Sequence, residues 1–300
     1  MKFKSICELS RDIQLRLLPQ LPRDISIVYG IPRSGMVPAT IVATALGATL
    51  AVVGGPPPAF GSRMKLKVLP EGGKSLLIDD SIHTGKAMSA AISSLGPDSV
   101  IDYCCAVYAH SRSLASVDFF AEILDGPRMF QWNFTGISAT KNYCWDLDGV
   151  ICTNPTVYDD DGEEYLHHVL NEVRPLYLPQ VKIKAIVTNR IERWRHETET
   201  WLRRFGVQYE QLLMQPWSTA AERREKSLPA EFKARHLIEL DASAFIESHD
   251  SQARRIAAIS GRPVLSIESM QLFDGTEEAK CSCLPDGTLD VAYEDAKVTA

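Results

Sequence analysis

Leu76-Leu77-Ile78-Asp79-Asp80-Ser81-Ile82-His83-Thr84-Gly85-Lys86-Ala87-Met88 decides how the first half of the chain folds. An apolar run ends in two adjacent carboxylates, and a short turn with a threonine and a glycine leads into a helical pattern. A buried strand followed by a helix is the unit of a parallel sheet, whose ligands bind beyond the carboxyl ends of the strands. The free N–H groups of a helix start, with a hydroxyl nearby, cradle a phosphate. Two carboxylates beside that cradle suit the paired hydroxyls of a ribose. A plain strand, turn and helix capped by Asp and Thr would look the same locally.

A second stretch narrows the choice. Tyr29-Gly30-Ile31-Pro32-Arg33-Ser34-Gly35-Met36 follows an apolar run and opens a helix some fifty residues before the acidic pair. Together the two stretches resemble the signature of the type I phosphoribosyltransferases. The resemblance implies that Asp79 and Asp80 hold ribose hydroxyls. It also implies that the turn through Ser81, Thr84, Gly85 and Lys86 wraps the 5-phosphate, and that Arg33 and Ser34 meet the diphosphate of phosphoribosyl diphosphate. His83, inside the turn, either contacts phosphate or faces solvent. The loop 54–73, rich in Gly and Pro and carrying Arg63, Lys65 and Lys67, matches the mobile loop with which that family covers its site.

The sharpest motif opens the second half: Asn142-Tyr143-Cys144-Trp145-Asp146-Leu147-Asp148-Gly149-Val150-Ile151. Asp-x-Asp-Gly also begins calcium loops, but further ligands at regular spacing are missing and a buried strand precedes it. It resembles the first motif of the haloacid-dehalogenase superfamily. In that role Asp146 attacks phosphorus and Asp148 serves as general acid and base. Three later stretches fit the same family. Ile186-Val187-Thr188-Asn189-Arg190 ends a strand in the hydroxyl that holds phosphoryl oxygens. Lys233 matches the phosphate-site lysine, with Lys226 as the rival. Phe245-Ile246-Glu247-Ser248-His249-Asp250 supplies acids for Mg²⁺ with Asp146 and Asp148, and the choice between Glu247 and Asp250 stays open.

The expected architecture is therefore α/β, with two doubly wound parallel-sheet domains: phosphoribosyltransferase-like over 1–138, and haloacid-dehalogenase-like without a large cap over 139–275, followed by a polar tail at 276–300. Strands are expected at 25–29, 49–53, 75–78, 100–107, 119–124, 143–145, 183–187, 244–246 and 264–267. Helices are expected at 34–46, 84–95, 163–177, 193–205, 231–240 and 251–259. Residues 128–140 show no pattern of their own. The acidic run Asp159-Asp160-Asp161 reads as a solvated turn.

Composition agrees with this and excludes other classes. The chain has 300 residues, 45% hydrophobic and 23% charged, and a net charge of −6. Residues 1–139 are slightly basic and the remainder acidic, with no basic stripe for nucleic acid. No apolar run reaches the ~20 residues of a membrane helix. Seven cysteines without regular spacing point to reduced thiols in a cytoplasm. Cys281 and Cys283 lack the second pair a zinc site needs.

The paired resemblances imply one sequence of reactions: transfer of 5-phosphoribose to an acceptor, then removal of the 5-phosphate. Such pairs install ribofuranose in bacterial glycans. The resemblance thus implies a glycan or lipid-linked glycan acceptor and a membrane-associated glycan assembly enzyme as partner, with the oligomeric state open. A base-salvage enzyme that trims its nucleotide, and a phosphatase controlled by a non-catalytic phosphoribosyl diphosphate sensor, are the alternatives.

Overall fold

The computed structural model describes residues 1–55, 73–95, 100–155 and 162–275. Arg63, Lys65, Lys67, Asp159–Asp161, Cys281, Cys283 and the tail expected at 276–300 lie outside the described residues.

The elements of the first half are β1 (Lys2–Lys4), α1 (Ile6–Asp12), β2 (Ile25–Gly30), α2 (Met36–Leu46), β3 (Thr49–Val52), β4 (Lys74–Ile82), α3 (Lys86–Ser94), β5 (Tyr103–Ala109), β6 (Phe119–Ile123) and β7 (Arg128–Phe130). Five of them form a parallel sheet in the order β3-β2-β4-β5-β6. The central strand β4 buries Leu76, Leu77 and Ile78 completely, as a strand covered on both faces must. Helix α2 ends where Gly47, at φ 66°, turns its N–H back onto the carbonyls of Ala43 and Thr44.

In the second half come β8 (Tyr143–Trp145), α4 (Glu163–Asn171), β9 (Ile183–Ile191), α5 (Arg195–Arg204), β10 (Tyr209–Gln215), α6 (Ala220–Lys226), α7 (Pro229–Glu239), β11 (Ala244–Glu247), α8 (Asp250–Ser260), β12 (Val264–Ser266) and β13 (Gln271–Phe273). Their sheet runs β10-β9-β8-β11-β12-β13, parallel except for β13. The protein is thus mixed α/β with two separate, mainly parallel sheets.

In both sheets the strand order reverses direction beside one central strand. Connections leave β2 and β4 on opposite sides in the first sheet, and β8 and β11 do the same in the second. A crevice opens at such a place because neighbouring loops diverge. Asp79 and Asp80 stand at one crevice, Asp146 and Glu247 at the other.

Between the sheets lies a two-stranded parallel ribbon of β1 and β7, with Phe3 opposite Met129 and Lys4 opposite Phe130. Its alternation serves two cores at once. Met1, Phe3 and Met129 pack on the core of the second sheet, while Phe130 packs in the core of the first. Lys4 reaches Asp12 at 3.1 Å and Glu122 at 2.9 Å. Phe134, also ahead of residue 138, belongs to the second core.

Several local expectations need correction. The strand expected to stop at Ile78 continues to Ile82, because Ser81 and Ile82 still pair with Tyr108 and Ala109 of β5 after β2 has ended. The helix expected from Thr84 begins at Lys86, since Gly85 takes φ 74°, a left-handed conformation outside the helix. The helix expected over 163–177 ends at Asn171. Beyond the helix the chain runs back against residues 150–151, with Leu176 and Tyr177 donating to the carbonyls of Ile151 and Val150. Pro175 in that return cannot continue a helix.

Candidate functional site

At the second crevice the parallel register brings Trp145 level with Ile186 and Ile246. The next residue of each strand therefore emerges at one edge. Asp146 is anchored there by its backbone N–H to the Ile246 carbonyl, and its Oδ1 accepts from the Leu147 N–H at 2.8 Å. Gly149, at φ 79°, has no room for a side chain: a Cβ would stand 2.7 Å from Ser248 Cβ. That close approach folds the loop after Asp146 beneath the end of β11.

Lys233 of α7 is completely buried and joins the two strand-end acids. Its Nζ donates to Asp146 Oδ2 at 2.9 Å, to Glu247 Oε2 at 2.8 Å and to Gln252 Oε1 at 3.3 Å. Ser248 Oγ donates within reach of both acids, 3.2 Å from Asp146 Oδ2 and 3.0 Å from Glu247 Oε1. One ammonium faces two carboxylates. Burial and the neighbouring Glu247 charge push Asp146 well above the usual carboxylate range, although Lys233 opposes this. Burial also works against Glu247, but Lys233 and the Ser248 N–H outweigh it and hold Glu247 low. Burial alone would lower the Lys233 ammonium; Asp146 and Glu247 raise it. Glu247 is thus the acid whose charge Lys233 matches.

The fold separates the candidates of both pairs. Lys226 is half-exposed and pairs with Glu222 at 2.9 Å, so Lys233 is the lysine brought to Asp146. Asp250 begins α8, where its Oδ1 accepts from Ser269 Oγ at 2.7 Å and its N–H donates to Glu268. Among the described residues no three His, Cys, Asp or Glu side chains cluster as metal ligands. Of the acids expected to share a metal, Asp146 and Glu247 meet at Lys233, while Asp148 and Asp250 each have other partners.

Asp148 is held elsewhere. Arg190 grips it in a fork, Nε to Oδ2 at 2.9 Å and Nη2 to Oδ1 at 2.6 Å. The guanidinium is buried and also donates to Thr198 Oγ1 at 3.3 Å. Thr188 is buried, and its Oγ1 accepts from the Arg190 N–H at 3.2 Å. The sequence reading missed Arg190, Ser248 and Gln252. Arg190 has a usable signal, because residues two apart on a strand share a face and Thr188 is itself a candidate.

The first crevice is built by the same rules with different partners. The loop after β2 is tied down by the Ile31 N–H to the Ile78 carbonyl at 3.1 Å. Gly35 lies so close over β4 that a Cβ would meet Ile31 O at 2.6 Å and Asp79 Oδ1 at 2.8 Å. Asp79 Oδ1 accepts from the Asp80 N–H at 2.8 Å. Burial, and then the Asp80 charge, pushes Asp79 up to about 8.

Asp80 departs from expectation. It is 4% exposed, and both its oxygens are taken. Oδ1 accepts from the Ser81 N–H at 2.8 Å; Oδ2 accepts from the Trp132 indole at 2.6 Å and from the Asn133 amide at 3.4 Å. Burial raises its pKa and the indole lowers it, with burial prevailing. These donors crowd Asp80, and Asp79, half-buried, is the less covered of the two acids.

Arg33 and Ser34 also face new partners. Arg33 Nη1 donates to Gln180 Oε1 of the second half, and Asn133 Nδ2 stands 3.5 Å from Ser34 Oγ. Arg33, Ser34, Trp132, Asn133, Gly136 and Gln180 line one cleft. The Pro32–Arg33 peptide is cis. In the turn, Ser81 is half-buried and Gly85 buried, whereas His83, Thr84 and Lys86 are exposed. The His83 ring lies 4.7 Å from that of His110, and its carbonyl accepts from Ser113 Oγ.

No family model and no curated protein matches the chain. Among solved structures it is similar to a xanthine-guanine-hypoxanthine phosphoribosyltransferase of Helicobacter pylori, at 14% identity over 44% of this chain and 91% of that one, with a TM-score of 0.34. It is similar to a purine phosphoribosyltransferase from Pyrococcus horikoshii Ot3 at 18% identity over 44% and 92%, TM-score 0.35. It is also similar to an orotate phosphoribosyltransferase from Aeropyrum pernix at 17% identity over 40% and 70%, TM-score 0.28. Scores of this size carry no argument about the sites, whose reading rests on their own geometry.

Proposed function

We propose that the chain is a bifunctional enzyme. Its first half transfers 5-phosphoribose from phosphoribosyl diphosphate to an acceptor, and its second half hydrolyses the 5-phosphate to leave a ribofuranosyl unit. We assign residues 1–138 to the first activity and 139–275 to the second, with Met1, Phe3, Met129 and Phe134 lent to the second core. The acceptor we favour is a glycan or lipid-linked glycan, delivered by a membrane-associated assembly enzyme.

The observation that carries the phosphatase reading is the buried Lys233 ammonium bridging Asp146 and Glu247. A stable fold gains little from burying two acids and a lysine, because desolvation offsets their attraction. A phosphoryl site gains a nucleophile beside a fixed cation. Asp146 attacks phosphorus, forming an aspartyl-phosphate as the ester P–O bond breaks. Asp148, released from the Arg190 fork and protonated, gives its proton to the leaving oxygen. Now a carboxylate, it takes one from the water that hydrolyses the aspartyl-phosphate to phosphate and restores Asp146. Thr188 and the neighbouring N–H groups receive the phosphoryl oxygens. Two carboxylates and one lysine leave a net negative charge, and Mg²⁺ commonly takes one or two carboxylates with water and phosphate. Asp146 and Glu247 would hold it, and it would neutralise phosphoryl charge.

For Asp146→Asn we expect no phosphate release from a 5-phosphoribosyl product, while diphosphate release by the first half continues and the phosphorylated product accumulates. Wild-type turnover in this variant, by phosphate assay and mass spectrometry, would remove Asp146 from the role. The capped state of Asp80 favours a second reading, in which the first half binds phosphoribosyl diphosphate without reacting and controls the phosphatase. Diphosphate release with any candidate acceptor excludes it.

A further inference from the structure

The strand-end acid and the arginine that a phosphoribosyl ligand would need are both engaged, the acid by Trp132 and Asn133 and the arginine by Gln180, which is tied to the same connector. Residues 131–136 connect β7 to the second half. Trp132 and Asn133 take Asp80, and Asn133 also approaches Ser34. Gln180 takes Arg33, while its backbone N–H donates to Thr135 O at 2.9 Å and its Nε2 to Thr135 Oγ1 at 3.3 Å. We propose that residues 131–136, together with Gln180, form a latch on the first site, which a ligand carrying vicinal hydroxyls and a diphosphate must displace before it seats. The proposal rests on reading that site as a phosphoribosyl diphosphate site.

The latch has firm mountings on either side. Trp132 stacks on Phe130, with ring centroids 4.9 Å apart and planes at 12°, and so continues a stack that begins at Tyr108. Two residues on, Phe134 packs against Trp145 at 5.8 Å and Tyr177 at 5.3 Å. Trp145 directly precedes Asp146, and Tyr177 donates its N–H to Val150 in the loop beyond Asp148. The connector thus touches the acid of one site and the strand that carries the nucleophile of the other. Asn133 Oδ1 is buried with no hydrogen-bond partner among the described residues, so the closed latch leaves one acceptor unsatisfied. That cost limits its hold.

A ligand shifts such an equilibrium only through its preference for the open state, and the fraction of closed protein lowers its apparent affinity. Removing a latch bond should therefore tighten binding, the opposite of what loss of a ligand contact does. Trp132→Phe keeps the stacked ring and deletes the indole N–H; Gln180→Ala frees Arg33.

The test is titration calorimetry of phosphoribosyl diphosphate with Mg²⁺ on the full chain, with circular dichroism confirming each variant's fold. We expect about tenfold tighter binding for Trp132→Phe and about threefold for Gln180→Ala. In the wild type, ligand should speed amide hydrogen exchange over residues 131–136. Unchanged or weaker binding in both variants, or unchanged exchange on wild-type binding, overturns the latch and leaves the site reading intact. Absence of binding in the wild type and in both folded variants removes the site reading, and the latch with it.

Discussion

The two crevices share a plan and differ in how they neutralise it. Each places two carboxylates at the carboxyl edge of a parallel sheet, and each uses a glycine, Gly35 or Gly149, to let a neighbouring group pass where a side chain would stand. In the second crevice the chain supplies its own cation, Lys233, to Asp146 and Glu247. In the first, Asp79 and Asp80 are met by an indole, an amide and backbone N–H groups, none of them charged. Burial raises both Asp79, to about 8, and Asp146, but only the second crevice sets a lysine directly against its acids, and there Glu247 is held low. The comparison teaches that the second site is charged in advance, whereas the first depends on what moves in.

The strongest way to break this contrast is Lys233→Met. Losing the only cation among three buried partners should destabilise the protein by about 3–5 kcal/mol in urea denaturation and abolish phosphate release. Near-normal stability would mean that Asp146 and Glu247 need no cation, and the contrast between the crevices would collapse.

Asp79→Asn tests the first crevice through pH. A carboxyl whose pKa is raised on folding binds its proton more tightly in the folded state, so its contribution to stability falls as pH rises from the unfolded value of about 4 to about 8. The variant should lack that decline. Parallel stability curves for wild type and variant across this window would show that Asp79 does not titrate there.

Arg190→Lys sharpens the second site. It keeps the charge and loses the fork on Asp148, so we expect a cost of about 1–2 kcal/mol in thermal unfolding and a roughly tenfold drop in kcat. The smallest effect belongs to Lys226→Ala. Its partner Glu222 is at the surface of the same helix turn, and neither stability nor phosphate release should change measurably. A phosphatase defect there would move the phosphate-site lysine away from α7.

Much of this arrangement was legible because buried strands write their own signature. Leu76-Leu77-Ile78 before Asp79 and Tyr143-Cys144-Trp145 before Asp146 could be read as strands that deliver acids, and the structure places them so. Strand β10 was missed because an edge strand can expose Glu210 and Gln211, leaving no continuous apolar run. Residues 128–140 looked unpatterned for a different reason. Met129 and Phe134 face one core while Phe130 and Trp132 face the other, so no single period describes them. The capping of Asp80 was invisible because its donors lie 52 and 53 residues away and reach it only through the fold. The contact of Asp250, at the start of α8, with Ser269 was equally invisible, because that partner lies 19 residues on.

The ribbon of β1 and β7 imposes an order of assembly. A ribosome delivers Phe3 long before Met129, its partner, exists. The first sheet can close while Phe3 waits, but the second core, made last, needs residues from the beginning of the chain. A gene fragment that starts at residue 139 would lack Met1, Phe3, Met129 and Phe134, and would present their vacated apolar seats to water. Making the two halves as separate polypeptides therefore calls for a cut that keeps this ribbon with the later half, which a circular permutation can do and a simple truncation cannot.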